Sequence, residues 1–228
     1  MAPLLSRLAD SYPFAKVQAN IAAKRLDLIA PQGSHAAIAA TVSELRAEAK
    51  KAKLGRVQLI VVATGREGED TAAALRALDP TAEILEFASW ETLPHERLSP
   101  SPETVGKRLK VLHRLHELGG GSGTAEHPAQ PQSEFLPDLD HNVYVVASVR
   151  AVLQPVVAGL ADFPPLVFET GKDYMLPLIG VKLVELAYHR VDMVTKRGEF
   201  AVRGGIVDIF PTTAEHAMRL EFFGDELE

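Results

Sequence analysis

The chain has 228 residues, 46% of them apolar and 24% charged, which allows one large domain or two small ones and is too apolar for a disordered chain. Its formal net charge of −6 excludes a protein that coats nucleic acid by charge alone, and the absence of cysteine excludes disulfides, thiolate metal sites and thiol catalysis. With no basic-then-apolar leader pattern and no apolar run near the roughly 18 residues of a membrane span, the sequence predicts a soluble, cytoplasmic protein with no membrane partner.

An amphipathic stretch at 17–26 leads into Leu26-Asp-Leu-Ile-Ala, which reads as a short buried strand. From Ser34, a good N-cap residue, Ile38, Val42, Leu45, Ala49 and Ala52 recur at helical spacing and predict a helix with one apolar face. Lysines crowd its C-terminal end, where the helix dipole favours cations. Residues 57–63 form a nearly continuous apolar run, the mark of a strand buried on both faces of a parallel sheet. Thr64-Gly-Arg-Glu-Gly-Glu-Asp reads as a turn, and a helix over 71–78, capped at Asp70 or Thr71, is stopped by Asp79-Pro80. A strand at 82–87, a helix at 103–118 and a strand at 143–147 continue the alternation, which implies a parallel sheet with right-handed crossovers. Residues 119–141 begin Gly-Gly-Gly-Ser-Gly and read as a mobile surface loop.

After Ser148 a short helix is broken by Pro155, and at Phe163-Pro-Pro the style changes. A helix over 176–188 is followed by strands at 190–196, 199–203, 205–210 and 217–223 with no helices between them, punctuated by Gly198, Gly204, Gly205 and Gly224. The division is therefore an α/β domain over 1–165 and a smaller α+β domain over 166–228.

The first strand-to-helix turn is where a nucleotide phosphate would sit, because the amides at a helix start attract anions. A working phosphate loop needs a lysine for the outer phosphates and a hydroxyl for magnesium. Here the turn reads Ala30-Pro-Gln-Gly-Ser-His-Ala-Ala, so Ala36 and Ala37 stand in those two places and no catalysis is expected. The acidic turn at 64–70 would repel phosphate. Trp90-Glu-Thr-Leu-Pro-His-Glu-Arg-Leu-Ser-Pro holds His95 and Glu96 without a catalytic partner at useful spacing, so it reads as a loop anchored by Trp90. In the helix that follows, Val105, Leu109 and Leu112 point inward, and Lys107, Arg108, Lys110 and Arg114 form a solvated basic face. His113 and His116 lie a turn apart with no third metal ligand.

The C-terminal strands carry no nucleophile but do carry a pattern. Alternation places Phe200 and Val202 on one face and Arg203 on the other; Leu220 and Phe222 oppose Arg219, Glu221 and Phe223. Two readings of that outer face stand: Arg219 and an exposed Phe223 displayed together as an interaction hot spot, or a surface arginine beside a half-buried phenylalanine.

Four segments resemble a known family: Trp90-Glu-Thr-Leu-Pro-His-Glu-Arg-Leu-Ser-Pro, Glu185-Leu-Ala-Tyr-His-Arg-Val-Asp-Met-Val, Arg197-Gly-Glu-Phe-Ala-Val-Arg-Gly-Gly-Ile-Val-Asp-Ile-Phe-Pro and Arg219-Leu-Glu-Phe-Phe-Gly-Asp-Glu. They are similar to the N-terminal region of the bacterial transcription-repair coupling factors (Mfd), the part like the nucleotide-excision-repair protein UvrB. The resemblance implies a degenerate, helicase-like parallel-sheet domain of P-loop NTPase type that has lost its phosphate loop, then a UvrA-binding domain truncated at its C-terminal end. It places the UvrA-facing residues on Arg203, Arg219 and Phe223. It further implies a non-catalytic adaptor without a cofactor of its own. RNA polymerase, double-stranded DNA, ATP and magnesium would be engaged by motor and polymerase-binding domains elsewhere in a longer protein, whose C-terminal part would mask the UvrA-binding face. The competing readings are a nucleotide hydrolase and a module that binds damaged DNA.

Overall fold

The structure, a computed structural model, describes residues 27, 29, 33–48, 57–92, 99–119, 141–157 and 166–228, with backbone alone over 44–48. The amphipathic stretch at 17–26, His95 and Glu96, nearly all of the 119–141 loop and Phe163-Pro-Pro lie outside the described residues. The chain divides into two compact units, Met1–Ser89 with Arg114–Val156, and Trp90–His113 with Val157–Glu228.

The first unit is a parallel three-stranded sheet in the order β1-β3-β2, formed by β1 (Val57–Val62), β2 (Glu83–Phe87) and β3 (Val143–Ser148). Every residue of the central β3 is buried, as expected of a strand paired on both sides. The continuous apolar run of β1 belongs instead to an outer strand: Leu59 and Val61 are exposed, which corrects the expectation that both of its faces are covered. Residues 26, 28 and 30 of the predicted buried strand at 26–30 lie outside the described residues. Its described members, Asp27 and Ile29, are exposed and outside any strand, and among the described residues β1 has no neighbour on its free side.

Helix α1 (His35–Glu48) starts directly after Ser34, whose carbonyl accepts the Ile38 N–H at 3.0 Å. Its core face differs from the one the apolar periodicity predicts. Ala36, Ala39 and Ala40 are buried against Ala72, Leu75, Tyr144 and Val146, while Ile38 and Val42 are only half-buried. Small side chains win these positions because they let α1 approach α2 and the sheet closely.

Helix α2 (Gly65–Leu78) begins six residues earlier than the turn reading placed it. Thr64 caps it, its side chain accepting the Glu67 N–H at 3.2 Å, while the Glu67 carboxylate accepts the Ala63 N–H at 3.1 Å. Thr-x-x-Glu is the sequence form of a capping box. The glycines at 65 and 68, taken as turn residues, are tolerated inside the helix, and Gly68 is buried there. At its other end Asp79 accepts hydrogen bonds from Asn142 at 2.8 Å and Thr81 at 3.0 Å, and contacts the hydroxyl of the fully buried Tyr144 at 3.3 Å.

Helix α3 (Pro102–Leu118) contributes residues to both units. Ser101 caps it, accepting the Thr104 N–H at 3.2 Å, and Glu91 in turn accepts from the hydroxyls of Ser101 (2.6 Å) and Thr104. Its basic residues do not all face solvent. Arg108 is 1% exposed and stacks on the Trp90 ring, 4.3 Å from its centroid, and burial lowers the pKa of its guanidinium. That corrects the solvated-face reading for Arg108: its flat, weakly hydrated guanidinium stacks on an aromatic ring, which offsets part of the cost of its burial. Gly106 of the same helix packs against the Thr212 backbone so closely that a Cβ there would overlap the Thr212 carbonyl. A short helix, α4 (Val149–Leu153), follows β3 and is capped by Ser148.

The second unit carries a five-stranded sheet in the order β4-β5-β6-β7-β8: His189–Arg190, Glu199–Arg203, Ile206–Phe210, Met218–Phe223 and Glu226–Leu227. The strand expected over 190–196 is reduced to β4. Residues beyond it form a loop because the Glu199 carboxylate accepts the N–H groups of Thr195 and Lys196, both at 2.8 Å, and so bends the chain back on itself. Strand β8 was not foreseen. Helix α5 (Leu176–Glu185) buries Ile179 and Leu183 against Phe200, Val207 and Ile209, with Leu220 and Phe222 packed around them. It ends before the predicted Tyr188. Ala187 takes a φ of 64°, the Ala187 N–H donates to Val184 and the Tyr188 N–H to Leu183, both at 2.9 Å, which is a Schellman ending.

Candidate partner-binding face

Strands β5 and β6 are joined by the two-residue loop Gly204-Gly205, and β7 lies antiparallel beside β6. The loop depends on glycine for space: a Cβ at Gly205 would stand 2.6 Å from the Phe222 carbonyl oxygen, and the Phe222 N–H donates to Gly205 at 2.8 Å. This fixes the register. Asp208 lies directly across from Arg219, and Ala201 across from Asp208 on its other side. Because side chains alternate, Phe200, Val202, Val207, Ile209, Leu220 and Phe222 all reach the core. Arg203, Asp208, Arg219, Glu221 and Phe223 fall on the opposite face.

The arginines do not stand alone there. Arg219 donates from Nε to Asp208 Oδ1 at 2.7 Å and from Nη2 to Oδ2 at 3.1 Å, a bidentate pair. Arg203 donates from Nη2 to the same Oδ2 at 2.9 Å. The arginine side chains are 58% and 55% exposed at 203 and 219, and that of Asp208 only 14%. The hydrogen bonds from Arg219, foremost, and from Arg203 hold the Asp208 carboxyl below its usual range, and the Asp208 bond raises the Arg219 guanidinium. Phe223 ends β7 opposite Glu226, beside the tight turn at Gly224 (φ 66°), and is 79% exposed. Its neighbour Phe222 points inward and meets Tyr174 edge-on at 6.3 Å. The structure thus decides for display of Phe223 over the half-buried alternative.

All three sequence-predicted residues share one face of one sheet. Arg203 and Arg219 converge on a single carboxylate, while Phe223 lies further along β7. Asp208 was missed, although a signal was present: an acid in the middle of the apolar run Ile206-Val-Asp-Ile-Phe, at the parity of the outer face. Among the described residues no group of three His, Asp or Glu side chains is placed to hold a metal ion, and no helix is long and apolar enough to cross a membrane.

Comparison with known proteins covers the residues that form this sheet. Residues 166–228 match the family described as the UvrB interaction domain. Over 169 residues, 74% of the chain, it is 50% identical to the transcription-repair-coupling factor of Mycobacterium tuberculosis, and it spans 12% of that relative's length. The transcription-repair-coupling factor of Bacillus subtilis is 32% identical over 64% of the chain and 10% of its own length. The UvrABC system protein B of Listeria monocytogenes is 56% identical over 61 residues, 26% of the chain and 9% of the relative.

Proposed function

We propose that this chain, whose residues 166–228 match the UvrB interaction domain and which is similar to transcription-repair-coupling factors, is a non-catalytic adaptor that binds UvrA. The observation that carries this reading is the outer face of the second sheet, with Arg203, Arg219 and an exposed Phe223. Arginine and aromatic side chains contribute most to protein interfaces, because they offer planar donors and large apolar area on one side chain. In this proposal the domain over 166–228 meets UvrA and the domain over 1–165 is a degenerate helicase-like module. The adaptor brings UvrA to RNA polymerase stalled at DNA damage in the cytoplasm. Polymerase contact, ATP-driven movement on double-stranded DNA and masking of the UvrA-binding face belong to the rest of a longer protein.

The non-catalytic part of the proposal is supported at the start of α1. Ala36, where a phosphate-loop lysine would stand, is packed into the core of the first unit. His35 Nδ1 lies 3.5 Å from the Glu67 carboxylate, so an acid stands beside the start of this helix. Calorimetric titration with UvrA tests the binding face. Arg219→Ala, and likewise Arg203→Ala, is expected to weaken binding by at least about 2 kcal/mol, about thirtyfold, as loss of a desolvated hot-spot arginine does. Unchanged affinity for either variant would overturn the proposal.

A further inference from the structure

Asp208 points outward from the middle of β6, yet its side chain is only 14% exposed, and both arginines lie on its carboxylate. Oδ1 is taken by Arg219, and Oδ2 by both Arg219 and Arg203. Each guanidinium has five N–H donors. The bonds to Asp208 engage Nε and Nη2 of Arg219 and Nη2 of Arg203, leaving each arginine its Nη1 edge for another acceptor. The β6–β7 register holds Asp208 directly across from Arg219, so the carboxylate is placed by backbone pairing rather than by a flexible arm.

We infer that Asp208 is a positioning residue, which ties Arg219 and Arg203 into one fork presented to carboxylates on the partner. The inference rests on the reading of this face as the UvrA-binding surface and names the partner chemistry it fits. Two long side chains with many rotamers are already ordered before the partner arrives, so less entropy is lost on binding. The alternative role, charge alone, makes a prediction of opposite sign. Two arginines against one aspartate leave a single positive charge on the fork, and removing Asp208 leaves two. An acidic partner that responded to net charge would then bind more tightly. A partner that needs the ordered fork binds more weakly.

The experiment compares the 228-residue chain with Asp208→Asn, Asp208→Glu and Arg219→Ala, each checked by circular dichroism, in surface plasmon resonance against UvrA at fixed ionic strength. Asp208→Asn is expected to raise the dissociation rate about tenfold, because lost pre-organisation acts on complex lifetime. The Arg219 Nε–Hε proton resonance, shifted by its bond to the carboxylate, should move towards that of a solvated arginine in the same variant. Asp208→Glu restores the charge one methylene out and should recover part of the lifetime. If Asp208→Asn does not fold, Asp208→Glu carries the test: a lifetime shorter than wild type supports positioning, and an unchanged one overturns it. Equal or tighter binding by a folded Asp208→Asn overturns the inference. Should Arg219→Ala bind like wild type, the reading of the face fails and the inference with it. Should Arg219→Ala weaken binding while Asp208→Asn does not, the inference fails alone.

Discussion

At the scale of single residues, the outer face combines an aromatic surface at Phe223 with a charged cluster whose protonation is set from within. The Asp208 carboxyl is held below its usual range, chiefly by the hydrogen bonds from Arg219. A carboxylate whose folded-state pKa is depressed adds stability that is fully present above its unfolded value, about 3.9, and is lost as pH falls through the lower folded value. The gap in thermal stability between wild type and Asp208→Asn should therefore be constant from about pH 7 to about pH 5 and close below about pH 4, measured by melts across that range. A gap that closed above pH 5 would mean the carboxylate is not held by the arginines. Display of Arg219 and Phe223 was legible in the sequence because strand alternation is a strict period of two. Asp208 was not, since which residue sits across from Arg219 depends on register, and register is fixed by a glycine loop whose geometry a sequence does not print.

At the scale of elements, the errors of sequence reading share a cause: local preference is overruled by packing and caps. Helix α5 stops at Glu185 although Ala187 is a strong helix former, because Ala187 adopts the left-handed conformation that usually calls for glycine. Replacing it with glycine relieves about 1 kcal/mol of left-handed strain, partly offset by the greater unfolded-chain entropy of glycine. Ala187→Gly is expected to raise the melting temperature by a few degrees, on the order of a net gain of half a kcal/mol, with no effect on UvrA affinity. A fall in melting temperature would show that the unfolded-state term dominates. In α1 the longer apolar residues at 38 and 42 marked the wrong face, because alanines at 36, 39 and 40 permit the closer approach to Leu75 and Tyr144. The continuous apolar run of β1 signalled burial on both faces, but β1 is an outer strand with Leu59 and Val61 exposed, and an apolar run by itself does not tell what covers it.

At the scale of the molecule, the chain divides into an α/β unit and a second unit built on a mostly antiparallel sheet, and the match to the UvrB interaction domain lies on residues 166–228. If the first unit is a disused nucleotide fold, ATP with magnesium should leave the melting temperature of this chain unchanged and show no turnover. Nucleotide-dependent stabilisation together with phosphate release would overturn the non-catalytic proposal and make this chain an enzyme. The alternation of strands and helices in the first unit was readable from period and punctuation alone. The contribution of Trp90–His113 to the second unit was not, because nothing local to that segment says which core it joins. One of its contacts limits how such a sequence can drift. Where Gly106 meets the Thr212 backbone, the smallest increase in bulk, one methyl group, displaces main chain rather than a side chain. A lineage that lost this glycine would have to re-route the segment after β6, and with it the Arg197 guanidinium that lies over Phe210, 5.1 Å from its centroid, and donates to the Ala214 carbonyl. Position 106 is thus a point of near-zero mutational freedom, far in sequence from the arginines whose sheet it adjoins.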